Sequence, residues 1–130
     1  MAMLPAFLEI FQDARVGIVG LKRDEKTAVA HWYYHNVPSF DSETQTVILD
    51  PMIATGGTGL EVLKFLKQKG AAQKNIFYAA IVSAPEGITA IRDYFPDVNI
   101  ICASHDNGLT KDKFITPGLG DFGDRYFGTE

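Results

Sequence analysis

The chain's 130 residues are 46% hydrophobic and 22% charged, with a formal net charge of -4, the balance of one globular domain that can bury a core. An acidic chain of this kind offers no broad cationic surface, so neither nucleic acid nor membrane is expected as a partner, although a local basic pocket for phosphates stays open. No apolar run reaches a membrane span, no leader-type segment opens the chain and the lone Cys102 has no internal disulfide partner, which makes a cytoplasmic protein the expectation.

In chain order, Leu4, Phe7, Leu8 and Phe11 recur at i, i+3, i+4, i+7 and predict a helix with Pro5 in its first turn. The run Arg15 to Leu21 predicts a strand. Lys22 to Glu25 then leads into the β-branched and aromatic stretch Ala28 to Tyr34, one arm of a flap spanning about residues 22–38 that Asn36, Pro38 and Ser39 close. His31, Trp32, Tyr33, Tyr34 and His35 read as a strand covering the core or as a subunit contact. The histidine pair lacks a third ligand at metal spacing.

The stretch Thr46 to Leu60, TVILDPMIATGGTGL, organises the rest. An apolar strand runs into Asp50, then into the small residues Ala54, Thr55, Gly56, Gly57, Thr58 and Gly59, then into an amphipathic helix. Little side-chain bulk lets consecutive N–H groups approach an anion, and the helix N-terminus adds positive potential. Asp50, at the carboxyl end of a strand, is suited to accept hydrogen bonds from vicinal hydroxyls. Ribose plus phosphate is the ligand this suggests. No Lys follows the glycines as a Walker loop requires, and GxGxxG is absent. Thr58 and Glu61 also have capping-box spacing, a role compatible with phosphate binding.

Leu60, Leu63 and Leu66 oppose Lys64, Lys67 and Lys69 on the following helix, with Gly70 as its stop. Asn75 to Val82 is nearly all apolar, as a strand covered on both faces would be. Pro85 to Phe95 predicts a helix, with Ser83 and Glu86 at capping-box spacing and Pro96 as terminator. Val98 to Ala103 predicts a further strand, burying Cys102. This alternation predicts an α/β fold, a mostly parallel sheet with helices on both faces. The tail, about residues 104–130, has no periodicity, yet its aromatic and aliphatic residues suit an ordered loop. Gly118, Gly120 and Gly123 would let main-chain groups reach the edge of a planar ligand.

At these residues the chain resembles a known family. The aliphatic run, Asp50 and Ala54-Thr55-Gly56-Gly57-Thr58 resemble the ribose-phosphate loop of type I phosphoribosyltransferases, which use 5-phosphoribosyl 1-diphosphate (PRPP) as donor. Asp50-Pro51-Met52, where most branches carry two adjacent acids, is similar to the uracil phosphoribosyltransferase branch. So is the tail Ile115 to Thr129, ITPGLGDFGDRYFGT. The resemblance implies transfer of ribose 5-phosphate from PRPP to N1 of uracil in pyrimidine salvage, giving UMP and diphosphate. It implies PRPP contacts from Arg23, Asp50, Pro51, Met52, Ile53, Ala54, Thr55, Gly56, Gly57, Thr58 and Asp121, and uracil contacts from Ile115, Gly120, Asp121 and Phe122, largely through backbone. Arg23, Asp50 and Asp121 would be the catalytic set. Phe122 stands where many members have a small residue. The implied cofactor is Mg²⁺, held through waters near Asp121 with no direct protein ligand. A homo-oligomer and GTP as an effector are implied partners, with Trp32 to Tyr34 as a contact surface. A non-catalytic nucleotide-binding or regulatory module, or an inactive fragment, is the alternative.

Family members also have an N-terminal region ahead of the first helix, with a strand ending in an R-A-G diphosphate loop. Here only Met1-Ala2-Met3 precede that helix. The sequence therefore leads one to expect a truncated sheet, with an open slot between the strands at Arg15 to Leu21 and Thr46 to Asp50. A fragment of a longer enzyme, a gap filled by another chain or a changed strand order would each account for it.

Overall fold

The computed structural model describes residues 1–23 and 30–129, with Arg23 in its backbone alone. Helix α1, Leu4–Ile10, carries Pro5 in its first turn and buries no residue. Strand β1, Ile18–Arg23, pairs antiparallel with β2, Ala30–Asn36, through a bulge between Gly20 and Leu21. The bulge lays the Tyr33 ring over Gly20, where a Cβ would collide with it. Ala28 and Val29, at the expected start of the flap arm, lie outside the described residues.

A parallel sheet follows. Strand β3, Thr46–Leu49, and the short β4, Met52–Ile53, both pair with β5, Ile76–Ser83, and β5 pairs on its other side with β6, Asn99–His105. The break between β3 and β4 falls at Asp50-Pro51, because proline has no N–H to continue the ladder. The Asp50 N–H still donates to the Ala79 carbonyl at 3.1 Å. Among the described residues, β3 has no strand on the side away from β5. The strand predicted at Arg15 to Leu21 belongs to the separate β1–β2 ribbon rather than to this sheet.

Helices α2, Gly57–Gln68, and α3, Pro85–Tyr94, form the layer above the sheet. Val62, Leu63 and Leu66 of α2 and Ile91 of α3 pack on Ile76, Tyr78 and Ala80 of β5. Leu63 is wholly buried, so its truncation to alanine is expected to cost about 2–5 kcal/mol. The α/β class with its parallel sheet is as the sequence indicated, and both of these helices lie on one face. Strand alternation turns Phe77, Ala79 and Ile81 to the other face, where Ile81 is 38% exposed and Ile101 of β6 is 57% exposed. Continuous hydrophobicity in β5 is therefore matched by burial on only one of its faces.

Two caps inferred from spacing do not form. Helix α2 starts at Gly57 with Gly56 as N-cap in the left-handed region at φ 79°, so Thr58 lies inside the first turn and caps nothing. Ala84 is the N-cap of α3. Ser83 ends β5, where its buried Oγ lies 2.9 Å from His105 Nδ1. Glu86, the other half of that supposed box, accepts instead from the Leu109 amide at 3.0 Å.

In the tail, β7, Gly108–Leu109, pairs antiparallel with β8, Ile115–Thr116, and α4, Phe122–Phe127, closes the described chain. The Thr116-Pro117 bond is cis. No helix among the described residues is long and apolar enough to cross a membrane.

Candidate active site

All the parallel strands deliver their carboxyl ends to one edge of the sheet. There lie the loop after β3, the start of α3 after β5 and the turn after β6, which is the edge where open α/β sheets bind ligands. Asp50 leaves β3 at this edge. Asp50 is half-buried, with Oδ2 accepting from the Tyr78 hydroxyl at 2.6 Å and Oδ1 from the Met52 amide at 3.4 Å. Burial raises its pKa above the ordinary value of 3.8, and the Tyr78 hydrogen bond opposes that rise.

Ala54 to Gly56 then turn the chain into α2. The turn is tightly held by α3: a Cβ at Gly87 would collide with the Ala54 carbonyl, and a Cβ at Gly56 would stand 2.7 Å from the Gly87 carbonyl. Two glycines thus let the loop sit directly on the start of α3. The Gly57 amide makes a long contact of 3.4 Å to Thr55 Oγ1, and no side chain caps α2. No acidic residue occupies its first turn. The helix end therefore presents N–H groups and positive potential without a built-in anion to satisfy them.

The tail is fastened to the same edge. Asp106, just past β6, accepts from the Gly118 amide at 2.8 Å, and Glu86 holds β7. Gly118 has φ 55° and lies so close to the Ile115 carbonyl that any Cβ would collide with it. Gly120 has φ 79°. Asp121 is exposed and is the N-cap of α4, its Oδ1 accepting from the Asp124 amide at 2.9 Å. Phe122 opens α4, half-buried and stacked on Tyr126 with ring centroids 5.5 Å apart. Arg125 grips the loop by donating to the Leu119 carbonyl at 2.8 Å.

One small apolar cluster joins the two halves. Met52 and Ala54 from the segment after β3 pack with Leu109, Ile115 and Leu119 from the tail around Val82 and Ala84. Of the residues singled out by sequence, Met52 and Ala54 of the first segment and Ile115 of the second thus share one cluster. The Arg23 side chain lies outside the described residues. Sequence reasoning missed Tyr78, which in an apolar run looks like any core aromatic. It also missed Asp106, whose Asp-Asn-Gly turn directly after a strand was a usable signal.

The flap folds inward in part. Trp32 packs on Phe65 of α2 with centroids 4.9 Å apart, whereas Tyr33 and Tyr34 are 74% and 49% exposed.

A parallel sheet with a phosphate-type loop and an ordered tail at its carboxyl edge defines the architecture of a phosphoribosyltransferase. The fold is shared with adenine phosphoribosyl transferase from Trypanosoma brucei, at a TM-score of 0.53 and 22% identity over 83% of this chain and 46% of that one. A protein from Aquifex aeolicus superposes with a TM-score of 0.88 at 32% identity, over 98% of this chain and 60% of that one. The sequence model for uracil phosphoribosyltransferase matches residues 1–129. The chain belongs to the uracil phosphoribosyltransferase family. It is 43% identical to the uracil phosphoribosyltransferase of Limosilactobacillus reuteri strain DSM 20016 over 98% of this chain, and 44% identical to that of Lactiplantibacillus plantarum over 100% of it. In both cases it spans 61% of the relative's length.

Proposed function

We propose that this chain forms a single phosphoribosyltransferase-like domain that transfers ribose 5-phosphate from PRPP to N1 of uracil, giving UMP and diphosphate. The observation that carries the reading is the shared cluster of Met52 and Ala54 with Leu109, Ile115 and Leu119, which brings a loop suited to ribose phosphate against a glycine-rich tail suited to a planar base. Asp50 accepts hydrogen bonds from the ribose hydroxyls. Pro51, Met52 and Ile53 carry the chain from that carboxylate to the Ala54 to Thr58 turn, which receives the 5′-phosphate with the α2 N-terminus behind it. Main-chain groups of Ile115, Gly120 and Phe122 read the uracil edge. A carbonyl facing N3–H and an amide facing O4 accept uracil and reject cytosine, whose donor and acceptor at those atoms are exchanged.

In the reaction the bond from C1′ to the diphosphate oxygen breaks and the bond from N1 to C1′ forms. The N1 proton leaves to the departing diphosphate or to solvent. Positive charge develops at C1′, so the protein's work is orientation and charge management, with Arg23 assigned to the diphosphate. Mg²⁺ fits the donor set as a hydrated ion: Asp121 is an exposed carboxylate whose cap bond engages Oδ1, and Mg²⁺ characteristically retains waters and binds through one or two carboxylates plus substrate phosphates. When bound it would neutralise charge on the diphosphate. We further propose a cytoplasmic location, a homo-oligomer with Tyr33 and Tyr34 in the contact, and regulation by GTP.

The test is UMP formation from labelled uracil and PRPP with Mg²⁺, using the wild-type chain beside Asp121→Asn and Asp50→Asn. Turnover that falls at least tenfold in both variants is expected. UMP binding without turnover would make the chain a binding module, and no binding of either substrate would overturn the reading.

A further inference from the structure

We propose that Tyr78 is a positioning residue, holding the Asp50 carboxylate in the orientation that receives the ribose diol of the donor; this deepens the reading above and rests on it. The arrangement is built from three elements. Tyr78 sits on β5 opposite Ile48 of β3, two residues before Asp50, and the Asp50 amide is itself bonded to Ala79 beside it. The side chain of Tyr78 is almost fully buried under α2. It fits there because Gly59 of α2 lacks a Cβ, which would lie 2.6 Å from both Cε1 and the hydroxyl oxygen of Tyr78. The ring is thus wedged between helix and sheet, with its hydroxyl at Asp50 Oδ2, 2.6 Å away.

A buried tyrosine hydroxyl needs a partner, and a carboxylate offers about four acceptor directions. One strong bond to Tyr78 and a long one to Met52 fix the rotamer while leaving acceptor capacity for a ligand. An isolated Asp side chain would have to give up rotational freedom on binding; here that ordering is already complete. The hydroxyl is a dependable donor, because burial and the Asp50 charge hold its pKa well above the usual 10.0. Among the described residues, the other titratable groups acting on the pair are the amino group of Met1, which lowers the Asp50 pKa, and Cys102 of β6, which adds to the rise at Tyr78.

The test is Tyr78→Phe, which keeps the ring that packs under Gly59 and removes only the donor. Two measurements are made on the full chain. Carbon-13 NMR of the Asp50 carboxyl in the ligand-free protein is expected to show titration at higher pH in the variant, because the bond that opposes the effect of burial is gone. Calorimetric titration with PRPP is expected to show roughly tenfold weaker binding, with the acid limb of the binding profile displaced to higher pH. Catalytic turnover at saturating donor should change less than KM for donor. A role in packing alone would move neither the titration nor that split. An unchanged Asp50 titration, or PRPP affinity equal to wild type across pH, overturns the role of Tyr78. If Asp50→Asn binds PRPP as tightly as wild type, the assignment of Asp50 to ribose is itself wrong and the proposal falls with it. Binding lost in Asp50→Asn but intact in Tyr78→Phe overturns the Tyr78 step alone.

Discussion

The Gly118 amide donates to the Asp106 carboxylate over 2.8 Å, fastening the tail to the end of β6 across twelve residues of sequence. This is a charge-assisted bond from a half-buried amide. Asp106→Ala should therefore free the loop that presents Gly120 and Phe122. The expected result is a rise of roughly tenfold or more in KM for uracil, with a smaller loss of PRPP affinity through Asp121 on the same loop. Asp106→Asn, which keeps an acceptor oxygen, should recover most of the loss. Steady-state kinetics with each substrate varied in turn would check this, and equal losses for both substrates would contradict it.

Gly56 combines φ 79° with a Cβ position 2.7 Å from the Gly87 carbonyl. Either feature alone penalises a side chain, the backbone term by about 1–2 kcal/mol and the collision by more. Gly56→Ala should lower stability by at least about 2 kcal/mol, read as the shift of the urea midpoint at unchanged m-value. Gly70 also has a positive φ, of 96°, but nothing within 4 Å of a Cβ, so Gly70→Ala should cost only the backbone term.

Thr58 separates two roles that its spacing to Glu61 left joined. Because Gly56 is the N-cap and Thr58 bonds to no terminal amide as a cap, Thr58→Ala should leave the thermal midpoint within about 2 °C of wild type, well below the shift for loss of a true cap. Its effect should instead appear as weaker binding of ribose 5-phosphate by calorimetry. A large drop in melting temperature with unchanged binding would reverse the assignment.

Asp50 sets a pH dependence whose sign follows from burial. Its pKa in the folded chain is raised above the ordinary 3.8, so between those two values the folded state holds the proton more firmly than the unfolded one. The stabilising contribution is complete below pH 3.8 and is lost as pH rises through the folded pKa. Asp50→Asn should accordingly be more stable than wild type at neutral pH, with the advantage closing as pH falls toward 3.8. The same variant should bind the ribosyl donor poorly. Chemical denaturation across pH, paired with donor titration, would show whether stability and affinity move in opposite directions.

What the sequence made legible was local. The apolar run at Thr46 to Leu49 forms a strand where it was expected, whereas the helix expected from Leu60 begins at Gly57 and takes in three of the small residues read as loop. The turn and helix signals at Pro85 and Gly70 were of the same kind. What escaped reading depended on partners distant in sequence. Ser83 and Glu86 have the spacing of a capping box, but His105 and the Leu109 amide compete for them and win. Tyr78 is one aromatic among apolar neighbours until Asp50 and Gly59 are brought to it. Asp121 carries a fork that sequence left open, since an aspartate before a short helix is both a good cap and an available carboxylate. The cap is formed through its Oδ1.

The cluster of Met52 and Ala54 with Leu109, Ile115 and Leu119 has a metric consequence. Side chains from both loops interlock around Val82 and Ala84 on a strand end, so the separation between the turn at Gly56 and the tail at Gly120 is set by core packing and not by whatever lies between them. The edge behaves as a calliper with its jaws clamped. On the function proposed above, a molecule that offers a phosphate and a base at the wrong span would have to forgo one jaw, and lengthening Val82 by one methylene group, as in Val82→Ile, would reset the gauge through a residue assigned to neither ligand.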